Sequence, residues 1–523
     1  MKRFNITGTC YPEDHYMVNI DDRLNSIAKL VAEGQYITIN RGRQYGKTTT
    51  LYHLAERLSG DYVVFSISFE ALTDKNFANT GTLAYSFLEQ IQSKIEFGVI
   101  KNLNDTVTKM LDEKIASNAE KKEIPSEEFD KFLSVMCAKS SKSIVVFIDE
   151  VDNASNYESF IELLRLLRNK YLNRKTMPTF QSVILAGVYD IKNLKLKVRP
   201  DSDHQYNSPW NIAIPLKSDM SFAVPQIAQM LSDYEADHKT GMDIDEIASL
   251  IHDYTNGYPV LVSKICQLID EENLGWDQDG VQNAVKLILN ERNNTFFSDL
   301  VKKLDDFPEI RKMLKDMLYY GKEFTFNPDN KVLNIAAMFN YISNINGKVK
   351  ITNRIIETRL YNLFMSEEEM TSTLYGEGQT DRDQFIDGKT LKMDKILERF
   401  AFHFNDIYGS KDLTFREEEG RRFFMLYIRP IINGTGHYYI EAETRDRSRT
   451  DMIIDYNGIQ YIIEMKIWRG ESYNERGENQ LSQYLDYYHI DKGYMLSFCF
   501  NKNKVPGGKS IKIGDKEIYE VVV

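Results

Sequence analysis

The sequence predicts an α/β protein with a parallel sheet in its N-terminal part and a second α/β region at its C-terminal end. In the N-terminal part, an apolar strand over 36–40 leads through a glycine-containing loop into a helix over 51–58, and a second apolar strand covers 143–148. Near the other end, strand-like runs over 452–454 and 459–463 flank an Asn-Gly turn. A chain of 523 residues is long enough for three or four domains.

A phosphate-binding loop is predicted after the first strand. Residues 41–49 read Arg-Gly-Arg-Gln-Tyr-Gly-Lys-Thr-Thr and connect that strand to a helix. This order is typical of a P-loop, because backbone N–H groups at a helix N-terminus bind phosphate. We expect Lys47 to contact the β- and γ-phosphates of ATP and Thr48 to hold Mg²⁺. The nucleotide-binding residues predicted here are Arg43, Gly46, Lys47, Thr48 and Thr49. The alternative is an ordinary helix N-terminus that carries a basic residue.

An acidic pair follows the strand over 143–148. An apolar strand that ends in Asp-Glu is typical of a Walker B element, in which Asp149 binds Mg²⁺ through water and Glu150 polarises the attacking water. Alternatively, two solvated acids end a strand. Since Gly-Lys-Thr lies upstream at a plausible distance, the sequence favours an ATPase that uses ATP and Mg²⁺.

The C-terminal hairpin carries a second candidate centre. Glu464 and Lys466 are two residues apart on the second strand, so their side chains point to one face of the sheet. Asp451 starts the preceding strand. Two carboxylates suit a hard divalent cation, and the lysine can act on a water molecule. We therefore predict Asp451, Glu464 and Lys466 as catalytic residues, with Asp451 and Glu464 as metal ligands. The alternative is a solvated strand face with alternating charges.

Accessory residues are predicted around this centre. Gln480 and Tyr484 lie one helical turn apart, and Glu419 is in the first turn of a helix candidate over 416–428. Glu443 is an outer-ligand candidate. Arginines beside the acids could hold a phosphate backbone, although they could equally pair with nearby glutamates. The predicted nucleic-acid contacts are Arg445, Arg447, Arg449 and Gln480.

These motifs resemble two known families. Residues 1–360 are similar to the bacterial AAA-ATPase-like, STAND-type proteins, whose loop reads Asn-Arg-x-Arg-x-(Phe/Tyr)-Gly-Lys-(Ser/Thr), so Arg41 in place of the usual glycine fits the resemblance. Many relatives carry a polar sensor on the fourth core strand, but Ala186 is not polar and we assign none. The D-x12-E-x-K pattern resembles the PD-(D/E)XK nuclease superfamily, whose members often carry Gln on the following helix and Glu on a preceding one.

The resemblance implies a P-loop NTPase sheet with a helical lid and a winged-helix-like module, followed by an α/β restriction-endonuclease-like domain. The winged-helix-like module is expected to be a spacer more than a DNA reader. The expected boundaries are 1–218 for the ATPase core, 219–300 for the lid, 301–365 for the winged-helix-like module, 366–388 for a linker and 389–523 for the nuclease-like domain.

Composition narrows the function classes. The net charge of −12 argues against DNA binding by the whole surface, although a local basic channel is still open. The four cysteines are scattered without metal-ligand spacing, as expected of a reduced cytoplasmic protein. No segment approaches a membrane span, so no membrane partner is expected. A homo-oligomer is left open.

Two functions are compatible with these observations. The first is an ATP-controlled nuclease that cleaves nucleic acid, most simply DNA; defence against foreign DNA is suggested by resemblance alone. The second is a signalling or scaffolding ATPase whose nuclease-like domain binds nucleic acid or protein without cleaving it. A transposition-associated factor is a weaker third reading.

Overall fold

The chain divides into two compact units. The computed structural model describes residues 2–188, 210–291, 295–408, 415, 417–432, 436–439, 452–468, 477–479, 481–482, 484–486, 488, 490–500 and 507–523. One unit comprises Met1–His252 with Gly257–Asp277, and the other comprises Asp253–Asn256 with Gln278–Val523.

The first unit is built on a parallel sheet in the order β4–β5–β6–β3–β7. The strands are β3 (Ile37–Asn40), β4 (Val63–Ser68), β5 (Ile144–Asp149), β6 (Ser182–Gly187) and β7 (Ile214–Pro215). Every residue of β5 and β6 is buried, as expected of parallel strands covered by helices on both faces. The predicted α/β class with a P-loop type of parallel sheet is confirmed for this unit.

Two short strands, β1 (Arg3–Phe4) and β2 (His15–Tyr16), precede this sheet in the sequence. They pair with each other in parallel. The helices that follow, through the predicted lid, are α1 (Asp21–Ala32), α2 (Lys47–Leu58), α3 (Thr80–Glu96), α4 (Asp105–Asn118), α5 (Ser126–Lys139), α6 (Glu158–Leu172), α7 (Val224–His238), α8 (Ile244–Thr255) and α9 (Pro259–Glu271).

The second unit begins with helices and a small hairpin. Its elements up to residue 368 are α10 (Gln278–Asn290), α11 (Thr295–Asp306), α12 (Pro308–Tyr320), α13 (Lys331–Met338), β8 (Ile342–Ile345), β9 (Lys348–Ile351) and α14 (Arg354–Glu368). β8 and β9 are antiparallel, and their turn contains Asn346 and Gly347 at positive φ. Helices followed by such a hairpin are what a winged-helix-like module requires, and that assignment stays a prediction. α10 lies within the range assigned above to the lid, yet it belongs to the second unit.

The segment over 366–388, expected to be a linker, instead contains helix α15 (Thr373–Phe385). Leu374 and Phe385 are buried, and a Cβ built on Gly378 would lie 2.1 Å from the carbonyl oxygen of Tyr427. The helix therefore packs closely against its neighbour through a glycine, which acidic composition alone does not reveal. Further elements are β10 (Ile386–Asp387), β11 (Thr390–Leu391), α16 (Met393–Tyr408) and α17 (Glu417–Ile432).

A mixed sheet completes the second unit in the order β12–β13–β14–β15–β17–β16. The strands are β12 (Gly436–Tyr439), β13 (Met452–Tyr456), β14 (Ile459–Ile467), β15 (Lys492–Phe498), β16 (Gly507–Ile513) and β17 (Lys516–Val522). The predicted hairpin is present as β13–β14, with Asn457 at φ 55° and Gly458 at φ 81° in its turn. β15 pairs in parallel with β14 on one side and with β17 on the other. Within the described ranges, no helix has both the length and the apolar character needed to cross a membrane.

Candidate functional site

The predicted P-loop follows β3 at the carboxyl edge of the first sheet. The backbone N–H of Arg41 donates to the carbonyl oxygen of Gly187 (3.1 Å), which ties the start of the loop to the end of β6. Gly46 adopts φ 76° and immediately precedes α2. A glycine is favoured at this point because side chains with a Cβ rarely adopt this left-handed conformation. The loop thus leads directly into a helix N-terminus, the arrangement that binds phosphate.

Lys47 is the first residue of α2, and its side chain turns back towards the loop. Its Nζ donates to the carbonyl oxygens of Arg41 (3.1 Å) and Gly42 (3.0 Å), and only 5% of the residue is exposed. Burial lowers the pKa of Lys47, while the charges of Glu150, Asp152 and Asp149 oppose that shift. The ammonium group is therefore buried against neutral carbonyl oxygens, where an anionic ligand would be a stronger partner.

Thr48 and Asp149 are brought together from the two predicted motifs. Thr48 Oγ1 donates to Asp149 Oδ2 at 2.7 Å, across 101 positions of sequence. Asp149 is the last residue of β5, and its other oxygen accepts from the N–H of Glu150 (2.9 Å). A hydroxyl and a carboxylate side by side are hard oxygen donors that suit Mg²⁺, which also keeps several waters. The residues present fit the expected Mg²⁺ site.

Glu150 has an uncommon backbone conformation beside this pair. Its φ of 52° is left-handed, and it starts a single 3₁₀ turn over Val151–Ala154. Non-glycine residues rarely adopt this region, and such outliers cluster at functional sites. Burial raises the pKa of Glu150; Lys47 opposes the rise, and Asp149 and Asp152 add to it.

The remaining predicted loop residues contact the protein itself. The backbone oxygen of Arg43 accepts from the hydroxyl of Tyr258 (2.7 Å), and the ring of Tyr258 packs on that of Tyr45, with centroids 4.6 Å apart. Thr49 Oγ1 accepts from the N–H of Cys10 (3.2 Å), so Thr49 faces the N-terminal segment. Tyr258 was not singled out from the sequence.

Two arginines near the loop contact backbone carbonyl oxygens; Arg23 is buried and was missed, and Arg41 is half-buried. Arg23 donates to the carbonyl oxygen of Met220 (3.2 Å), and burial lowers its pKa to about 10. Arg41 donates to the carbonyl oxygen of Ser218 (2.9 Å). The only signal for Arg23 in the sequence was its place on the apolar stripe of α1. An arginine at such a position is equally compatible with exposure to solvent, so burial could not be predicted.

The second candidate centre lies on β14. Glu464 is completely buried, and Lys466 Nζ lies 2.7 Å from its Oε1. The two therefore share one face, as their spacing predicted. On the parallel neighbour β15, Met495 pairs with Glu464 and Ser497 with Lys466. Gly477 lies close to this face, since a Cβ built on it would lie 3.5 Å from Lys466 Cγ.

Several predicted residues lie outside the described residues. They are Asp451, Glu443, Arg445, Arg447, Arg449 and Gln480. Among the residues that are described, no group of three His, Cys, Asp or Glu side chains could hold a metal ion. Tyr484 is described and buried.

The glutamate of α17 that reaches β14 is Glu417. Its Oε1 accepts from the N–H of Ile467 at 3.0 Å, directly after Lys466. Glu419, the accessory residue chosen from the sequence, is half-buried two positions further on. Helix and sheet approach closely here, because a Cβ on Gly420 would lie 2.4 Å from Phe498 Cε2. The sequence favoured Glu419 because it lies one turn before Phe423, whereas the contact of Glu417 with β14 depends on the tertiary fold.

Comparison with known proteins gives one family. The model of the AAA-like domain family matches residues 14–331. No curated protein matches the sequence. Among solved structures, the Walker-type ATPase PABY2304 of Pyrococcus abyssi is 14% identical, aligns with 68% of this chain and 99% of its own, and has a TM-score of 0.47. The ORC2 protein of Aeropyrum pernix is 10% identical over 70% of this chain and 97% of its own, with a TM-score of 0.39. The RuvB Holliday junction branch migration motor of Thermotoga maritima is 12% identical over 64% and 92%, with a TM-score of 0.32.

Proposed function

The chain belongs to the AAA-like domain family, and from this premise we propose that it binds and hydrolyses ATP with Mg²⁺ at the site formed by α2 and the end of β5. The observation that carries the proposal is the hydrogen bond between Thr48 and Asp149. It joins the residue after the P-loop lysine to the acid that ends a buried parallel strand. These are the two places from which a P-loop ATPase draws its Mg²⁺ ligands.

Each residue has a role that its position supports. Lys47 exchanges its loop carbonyls for phosphate oxygens, and the N–H groups at the start of α2 donate to the same phosphates. Thr48 and Asp149 hold Mg²⁺, which neutralises charge on the β- and γ-phosphates when it is bound. Glu150 orients and polarises the attacking water. Arg43 and Thr49 are the remaining proposed nucleotide contacts of the loop. Tyr258 fixes the loop at the carbonyl group of Arg43.

We further propose that the C-terminal part of the second unit is a PD-(D/E)XK nuclease-like domain that cleaves DNA. Glu464 and Lys466 support this, because they are adjacent and project from one face of β14. Asp451 directly precedes Met452, which pairs with Ile463, the neighbour of Glu464. Asp451 and Glu464 would hold Mg²⁺, and Lys466 would orient or deprotonate the water that attacks the phosphodiester. Arg445, Arg447, Arg449 and Gln480 would contact the nucleic acid.

Control of this centre by nucleotide is supported by helix α10. Six residues, 272–277, separate it from the lid helix α9. On α10, Gln282 accepts from Gln460 (2.6 Å) and Lys286 forms an ion pair with Asp455. Both partners belong to the hairpin whose second strand carries Glu464. Because α10 follows the lid helix directly in sequence and contacts this hairpin, we propose it as the route of nucleotide control.

A second function also has a specific observation in its favour. Lys466 and Glu464 already pair with each other. A signalling or scaffolding ATPase that binds nucleic acid or protein through an inactive nuclease-like domain is consistent with this. We place either activity in the cytoplasm, in a chain that could self-associate.

A substrate panel tests the proposal. Purified full-length protein is incubated with linear duplex, circular duplex and single-stranded DNA and with RNA, each with Mg²⁺ or Mn²⁺ and with or without ATP. Metal-dependent cleavage of at least one substrate, at a rate that ATP changes, is the expected result. ATP turnover with binding but no cleavage of every substrate would favour the second function.

A further inference from the structure

The end of β6 has no polar side chain that could face the ATP site. The last two residues of this strand are Ala186 and Gly187. β6 lies between β5, which ends in Asp149, and β3, which leads into the P-loop. Its carboxyl end is thus central to the proposed site. A side chain from elsewhere in the fold occupies the space next to it.

That side chain is Asp152, in the turn that follows Glu150. Its Oδ2 accepts from the backbone N–H of Val188 at 2.5 Å. A Cβ built on Gly187 would lie 3.1 Å from each carboxylate oxygen of Asp152 and 2.8 Å from Val151 Cγ2. A side chain at position 187 would push against the Val151 methyl group and crowd the Asp152 carboxylate. The glycine of β6 therefore leaves room for the aspartate of the turn.

This contact lies between the two halves of the ATP site. On one side, the carbonyl oxygen of Gly187 accepts from the N–H of Arg41 at the start of the P-loop. On the other, Asp152 is two residues from Glu150, whose left-handed backbone needs support from its surroundings. The turn has a further tie, since the side-chain amide of Asn153 donates to the carbonyl oxygen of Phe69 (3.3 Å). Strand β6 therefore connects the loop that holds the phosphates to the turn that holds Glu150.

We propose that Asp152 is a positioning residue for ATP hydrolysis, which fixes Glu150 relative to the P-loop by accepting the hydrogen bond from Val188. The inference rests on the proposed ATPase function. The positioning that a polar sensor on the fourth core strand would provide comes here from the turn that follows Glu150. Asp152 contacts neither phosphate nor water in this role; it acts through the backbone of Glu150.

Kinetics of three variants test the role. Asp152→Ala removes the acceptor and should lower kcat about 10- to 100-fold, since a small misplacement of a catalytic group has an effect of this size. The Kd for ATP should change less than about threefold, because Lys47 and the loop are untouched. Asp152→Asn keeps an acceptor oxygen and should recover most of the rate. Gly187→Ala should also lower kcat, because its methyl group would push against Val151 and crowd the Asp152 carboxylate.

Controls separate failure of this role from failure of the ATPase assignment. Glu158→Gln removes a negative charge from an exposed side chain nearby and should leave kcat unchanged. Glu150→Gln reports on the ATPase site itself. A wild-type kcat in Asp152→Ala beside an inactive Glu150→Gln would overturn the inference alone, as would an Asp152→Asn protein as slow as Asp152→Ala. Normal hydrolysis by Glu150→Gln would instead overturn the assignment of Glu150.

Discussion

Lys286 Nζ on α10 lies 2.6 Å from Asp455 Oδ2 on β13, and both side chains are largely buried. Asp455 also accepts, through Oδ1, from the N–H of Gly458 in the hairpin turn (3.1 Å). One carboxylate thus binds the helix and closes the turn. This relationship ties the hairpin turn to α10 within the second unit.

Lys286→Ala should loosen the hairpin. The change leaves a buried carboxylate without its cation, which costs about 1–3 kcal/mol or more. Hydrogen–deuterium exchange of peptides covering 452–467 should therefore quicken. Lys303→Ala is the matched control, because its partner Asp306 is half-exposed and 3.7 Å away. Equal exchange in the Lys286→Ala and wild-type proteins would show that the pair does not hold the hairpin.

Lys47→Ala should strongly weaken ATP binding. The ammonium group is aimed into the loop, and hydrogen bonds to charged groups are worth about 1.5–3 kcal/mol each, so affinity should fall at least about 10-fold. Titration of the purified variant with a fluorescent ATP analogue measures the change. Lys101→Ala, which alters an exposed lysine paired with Glu56, serves as control. Wild-type affinity in Lys47→Ala would mean that the P-loop assignment is wrong.

Glu150→Gln should separate binding from hydrolysis. The amide keeps the shape of the side chain but cannot take up a proton from water, so turnover should fall about 10²- to 10⁴-fold while ATP stays bound. Phosphate release under saturating ATP measures the rate, and the titration above measures the affinity. If affinity and rate fall together, Glu150 supports the structure of the site rather than its chemistry.

Asp381 should make the stability of the second unit depend on pH. It accepts from His403 Nε2 and the Tyr427 hydroxyl, each at 2.8 Å, and from Arg399. Burial raises the pKa of Asp381. The hydrogen bonds and the charge of Arg399 lower this pKa by a larger amount, so it lies below its ordinary value. A carboxyl with a depressed folded pKa stabilises above its unfolded pKa, near 3.9, and loses that contribution as pH falls through the folded value.

Asp381→Asn tests this sign. At pH 7 the variant should be less stable by about 1–3 kcal/mol, and the difference from wild type should shrink below about pH 4. Urea denaturation at several pH values measures it. Asp383→Asn, two positions away and exposed, is the control. A difference that grows towards low pH would contradict the assigned direction.

Glu464 and Lys466 should differ in their effect on metal binding. Glu464→Gln removes a ligand oxygen and its charge, so Mn²⁺ affinity measured by calorimetry should fall; Lys466→Ala should spare binding and abolish cleavage. Glu517→Gln, which changes a more exposed acid of the same sheet, is the matched control. Unchanged Mn²⁺ binding by Glu464→Gln would remove Glu464 from the metal site.

Local patterns account for what the sequence predicted well. The P-loop, the Asp149-Glu150 pair and the Asn-Gly hairpin each occupy a few consecutive residues whose types dictate backbone conformation. Tyr258, Asp152 and Glu417 were not found, because their roles come from contacts with residues that are distant in sequence. The same holds for α15, where Gly378 permits close helix packing that composition conceals. The periodicity of α10 predicts a helix but does not say which unit buries it.

Cleavage of DNA by matched variants tests the central claim most directly. Using the best substrate from the panel, with Mg²⁺ and with or without ATP, product formation is followed for wild type, Glu464→Gln and Lys47→Ala. We predict that ATP changes the wild-type cleavage rate and that Lys47→Ala loses this response. The cleavage rate of Glu464→Gln should fall about 10²-fold or more, because removal of charge stabilisation at the scissile phosphate has effects of this order. Equal cleavage by Glu464→Gln and wild type, or a wild-type rate that ATP leaves unchanged, would contradict a nuclease under nucleotide control.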